Sequence, residues 1–242
     1  MVRWQIDNFR FSVLVAPDFT AQPSLWRECV GDEPENSIFQ RTTGTKTEIG
    51  TLAEAKLTLQ IQPMRVDWVH EQSANPGEQG APRLGPFPDA AGPLLQLARQ
   101  WATRSSFPDT SRVALGLVLV SSTTDRESGY GELSHFVDVP ANPIASDFMY
   151  QVNIPRDCRA GVVLRVNRLS RWSVASHRQI VVIRNSMTAQ QPIVSPDSFF
   201  LRLELDINTD ADFEGMIPRD KIPAIIDDLF EGATEICEHG TR

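Results

Sequence analysis

The sequence is poor in the residues that reactive chemistry and covalent crosslinks use. Its 242 residues include three cysteines (Cys29, Cys158, Cys237), four histidines and two tyrosines. Three widely spaced cysteines make no disulfide framework and fit a reducing compartment, so the fold must rest on a packed core. No apolar run approaches the roughly 18 residues of a spanning helix, and the polar start Met1-Val2-Arg3-Trp4-Gln5-Ile6-Asp7 is unlike a signal peptide. A cytoplasmic protein without membrane contact is expected. With 41% hydrophobic and 22% charged residues, neither disorder nor a fibrous repeat fits.

Catalytic signatures are missing too. There is no Walker A sequence, no G-x-S-x-G, no H-E-x-x-H and no C-x-x-C. His70-Glu71 opens like a zinc-protease motif but continues Gln72-Ser73-Ala74, without a second histidine on the same face, and reads as a loop-edge histidine. Gly129-Tyr130-Gly131 has Ser134 where a phosphate loop needs its third glycine, and reads as a helix-entry turn. Asp206-Ile207-Asn208-Thr209-Asp210-Ala211-Asp212 opens with calcium-loop spacing. It then has Ala211 at the glycine position and Ile217 at the bidentate glutamate position. Cys237 and His239 are two metal-ligand types without further partners. No metal site and no cofactor is expected.

Charge is present and unevenly placed. The net charge is −8, and the segment from Asp206 to Arg242 alone holds ten acids and three bases. From Pro155 to Asn185 seven arginines (156, 159, 165, 168, 171, 178, 184) stand against the single acid Asp157. The chain is electrically polarised along its length.

Periodicity gives the elements. Arg10 to Val15 reads as a strand and Pro23 to Cys29 as a short helix. Lys56 to Gln62 alternates, with Leu57, Leu59 and Ile61 on one face, and after Pro63 the segment Met64 to Val69 reads as its hairpin partner. Residues 72–93 hold five prolines and four glycines and read as a loop. Leu94, Leu95, Leu97, Ala98, Trp101 and Ala102 then recur at helical spacing. The order repeats: a buried strand Val113 to Val120, a short helix Tyr130 to Val137, and strands at Phe148 to Ile154, Gly161 to Asn167, Gln179 to Arg184 and Phe199 to Asn208. An amphipathic helix from Ile222 to Cys237 follows, with Pro218 and Pro223 near its start.

The predicted class is α+β. Two tandem halves, each strand, helix, antiparallel strands and helix, would form a continuous antiparallel sheet with helices on one face. The first half is 1–71 plus 94–105, the Pro/Gly-rich loop is 72–93, and the second half is 106–242. This element order resembles the tandem repeat of the TATA-binding-protein-like fold. At Arg112-Val113-Ala114-Leu115-Gly116, Val166-Asn167-Arg168-Leu169-Ser170-Arg171-Trp172 and Leu203-Glu204-Leu205-Asp206-Ile207-Asn208 the chain also resembles a sporadically distributed, uncharacterised bacterial family, over about the last 150 residues. That resemblance implies no catalytic residue.

The arginine-rich region supplies the candidate binding residues: Arg165, Arg168, Arg171 and Trp172, a set of planar cations beside an aromatic face suited to an anion or a base. The competing reading is an internal network with the acidic C-terminal segment. The expected function is a non-enzymatic protein-binding module, an accessory subunit or inhibitor in a bacterial multiprotein system. One alternative is nucleotide or single-stranded nucleic-acid binding through region 156–184. Another is an enzyme with dispersed residues among His70, His135, His177, Glu204 and Asp206. Strand edges leave room for a homodimer.

Overall fold

The computed structural model describes residues 2–16, 25–73, 83–139, 142, 144–177, 180–181, 193–194 and 197–241. It combines helices with a large open antiparallel sheet. The strands are β1 (Gln5–Val15), β2 (Asn36–Gln40), β3 (Thr45–Leu52), β4 (Ala55–Gln62), β5 (Arg65–Glu71), β6 (Gly85–Pro86), β7 (Thr110–Thr123), β8 (Met149–Asn153), β9 (Arg156–Asp157), β10 (Arg165–His177), β11 (Ile180–Val181), β12 (Ile193–Val194) and β13 (Ser198–Thr209). The helices are α1 (Leu25–Val30), α2 (Gly92–Ala102), α3 (Arg126–Leu133) and α4 (Ile222–His239). The main sheet runs β2-β3-β4-β5-β1-β7-β13-β10-β8, with β6 on β1 and β9 on β10, while β11 and β12 pair with each other.

Alternation gives the sheet two unlike faces. Phe9, Phe11 and Val13 of β1, Val113, Leu115, Leu117 and Leu119 of β7, and Leu201, Leu203, Leu205 and Ile207 of β13 are all buried. They share one core with the apolar stripes of α2 and α4. Pro93 and Pro223 sit in the first turns of those helices, where a missing N–H costs nothing. Two aromatic groups fill the core: Trp26, Trp68, Trp101 and Phe107 at one end, Trp4, Phe136 and Trp172 at the other. The opposite face is polar, with Asn8, Arg10 and Ser12 on β1 and Arg202, Glu204, Asp206 and Asn208 on β13.

Several predicted elements shift in position. β1 begins at Gln5 because a register shift between Ile6 and Asn8 lets Ile6 and Phe9 both face the core, which breaks the alternation in the sequence. α3 begins at Arg126 rather than Tyr130, since Asp125 caps it by accepting from the Ser128 N–H at 2.7 Å. Gly129-Tyr130-Gly131 therefore lies inside the helix. The strand predicted to end at Asn167 continues to His177. The C-terminal part of segment 72–93 is tied down: β6 pairs with β1, and the Leu84 and Phe87 N–H groups donate to the Ile6 and Trp4 carbonyls. Of the strand predicted over Gln179 to Arg184, only β11 lies within the described residues.

Candidate functional site

The arginine-rich segment divides by face. Successive residues of a strand point to opposite sides, so Arg171 and Trp172 cannot act together. Trp172 is fully buried on the helix side, stacked on Phe136 at 5.2 Å between ring centroids, with its Nε1–H donating to Ser170 Oγ at 3.1 Å. Arg168 shares that side and reaches Glu235 of α4 at 3.1 Å. Burial pushes its guanidinium pKa down, and Glu235 opposes the shift. Arg156 pairs with the buried Asp228 at 2.6 Å, and Arg159 with Glu235 at 2.8 Å and Glu231 at 3.3 Å. Arg156 and Arg168 thus bind the acidic last helix to the sheet, and Arg159 binds it to the connection between β9 and β10. Arg165 is exposed, opposite Asp157 in the β9–β10 pair. Arg171 lies on the polar face with Gln151 and Glu204.

Most of the polar face is internally satisfied. Arg65 and Ser12 donate to Asp67. Lys56 and Asn8 share Glu71 at 2.8 and 3.1 Å. Arg112 donates to Asn208 at 2.6 Å, and Asn208 in turn donates to Asp206 at 2.8 Å. Arg202 and Arg171 both reach Glu204, at 2.9 and 3.4 Å.

Arg10 is the exception. It is half-buried at the middle of the sheet, has no hydrogen bond or ion pair among the described residues, and leaves its Nε buried without a partner. Its guanidinium lies over Gly116, where a Cβ would come within 3.2 Å of Nη2. Around it a depression of about 270 Å³ opens across β1, β7, β13 and β10, lined among others by Gly116, Val118, Leu169, Arg171 and Asp206. A guanidinium with free donors in such a hollow can take a carboxylate in bidentate fashion. The sequence holds two signals of this site. Arg10 alternates with the apolar Phe9 and Phe11, and Gly116 interrupts a run of strand-forming residues. Only the strand register brings them together.

The remaining candidates are scattered. His70 is not at a loop edge: it is buried within β5, with Nε2 at 2.9 Å from the Leu52 carbonyl, and burial lowers its pKa. His135 sits exposed after α3 and His177 exposed at the end of β10, while Glu204 and Asp206 are on the polar face. Asp210 receives the Asp212 N–H at 3.1 Å. Among the described residues no group of three or more His, Cys, Asp or Glu side chains is placed to hold a metal. The cysteines are free thiols; burial pushes Cys29 up to about 12 and raises Cys158 and Cys237. No described helix is long and apolar enough to cross a membrane. Comparison with family models, with curated proteins and with solved structures finds no match for this chain.

Proposed function

We propose that the chain is a non-enzymatic protein-binding module, an accessory subunit or inhibitor in a bacterial multiprotein system, and that its partner docks on the polar face of the sheet. The observation that carries this reading is Arg10, a guanidinium with no partner among the described residues, in a hollow on a face where the neighbouring arginines have protein partners. An acidic side chain of the partner would complete it. Buried donors left unpaired are costly, so such a contact contributes both affinity and register.

The tandem-half arrangement belongs to the same proposal. From the central β1–β7 pair the order runs outward as β5-β4-β3-β2 on one side and β13-β10-β8 on the other, with α2 and α4 each following the last long strand of its half. That near-symmetry supports two related halves meeting at their first strands. Helices gathered on the apolar face would leave the polar face open.

The test is affinity capture from cytoplasmic extract with wild-type protein and Arg10→Glu, with and without nuclease. A stoichiometric protein recovered by the wild type after nuclease treatment and lost by the variant supports the reading. Recovery of nucleic acid that depends on Arg165 and Arg171 would favour the nucleic-acid alternative instead.

A further inference from the structure

Among the described residues β2 is an outer edge of the main sheet and pairs only with β3. All five of its residues are exposed, and none is charged, proline or glycine, the residue types that usually guard an edge. Ile38 is 53% exposed and Phe39 62% exposed. Their register opposite Thr47 and Lys46 places them on opposite faces of the sheet.

Charge appears at the two ends. Glu35 precedes the strand and Arg41 follows it; both are exposed, and Arg41 has no ion pair among the described residues. An antiparallel copy of β2, related by a two-fold axis through Ile38, is the register in which every residue of the strand has a partner. Asn36 then faces Gln40, Ser37 faces Phe39, and Ile38 faces itself. The same register sets Glu35 against Arg41 at both ends. The opposite edge has no such match. Symmetric pairing of β8 about Gln151 would put Asp147 against Pro155 and Ser146 against Arg156.

We propose that β2 is a self-association edge, at which two copies of this chain join strand to strand in that register. A two-fold axis normal to the sheet extends it into one continuous sheet with both polar faces on the same side. The contact is short, so association is weak and depends on concentration.

Sedimentation equilibrium over a concentration series tests this on wild type, Ile38→Lys, Arg41→Glu and the double swap Glu35→Arg/Arg41→Glu. The wild-type mass should rise toward twice the monomer mass, and Ile38→Lys should remain monomeric. Arg41→Glu, which sets acid against acid at both ends, should require about tenfold more protein to associate. The double swap should restore wild-type behaviour. All three positions involved are exposed, and unfolding midpoints equal to wild type establish that the variants fold. A wild type that stays monomeric, open-ended polymers, or a double swap no better than Arg41→Glu would overturn the proposal.

Discussion

Arg10 and Gly116 lie directly opposite each other in the β1–β7 pair, and the guanidinium of Arg10 occupies the space a side chain at 116 would fill. The empty position on β7 keeps the cation in its hollow. Gly116→Val should push the guanidinium out while suiting the strand backbone. The expected result is an unfolding free energy within about 1 kcal/mol of wild type together with loss of partner capture. Urea unfolding and capture, measured side by side, check both halves of that statement.

Trp172 and Arg171 are adjacent in sequence and opposite in role. Trp172→Ala removes a fully buried ring from the Trp4–Phe136 stack and should destabilise the protein by about 3–5 kcal/mol. Arg171→Glu breaks exposed contacts with Gln151 and Glu204 and should change stability by about 1 kcal/mol or less. Chemical unfolding of the two variants separates core from surface.

Asp228 anchors α4 to the sheet by accepting from Arg156 at 2.6 Å and from the Arg159 backbone N–H at 2.9 Å. Burial alone would raise its carboxyl pKa, but these hydrogen bonds and the Arg156 charge hold it below the usual carboxylate range. The pair therefore stabilises the fold above about pH 4, and that contribution is lost as pH falls through the depressed folded value. Asp228→Ala, which strands the Arg156 charge, should cost about 3–5 kcal/mol at neutral pH. Thermal unfolding at neutral and acid pH measures the cost and its disappearance.

His70 works in the opposite chemical sense with the same dependence on pH. Burial lowers its pKa, with the Leu52 carbonyl contact opposing, so the unfolded chain takes up a proton before the folded one does. Stability is complete above about pH 6.5 and declines as pH falls below it. Between about pH 7.5 and about pH 5.5 the urea midpoint of wild type should drop, and that of His70→Gln should stay level. An equal drop in both would remove His70 as the cause.

Much of this architecture was legible where one face of an element is uniformly apolar. Phe199 to Asn208, Lys56 to Gln62 and the stripe from Ile222 to Cys237 all fall within β13, β4 and α4. β10 was not legible in full, because its helix-side row includes Arg168 and Ser170, which Glu235 and Trp172 satisfy. Such long-range partners leave no local pattern. The same reason hid the hollow: Arg10 and Gly116 are each a small irregularity in a strand, and their meaning depends on a register set by ten paired positions between β1 and β7. The arginine-rich segment was visible as charge, but strand alternation divided it between an internal network and the polar face.

Arg10 is the proposed anchor for a partner's acidic group. The most direct test is quantitative capture by wild type, Arg10→Lys and Arg10→Glu, each shown to unfold at the same urea concentration. Strong capture is expected of wild type, weakened capture of Arg10→Lys, which keeps the charge but loses the bidentate fork, and none of Arg10→Glu. Undiminished capture by a folded Arg10→Glu would contradict it.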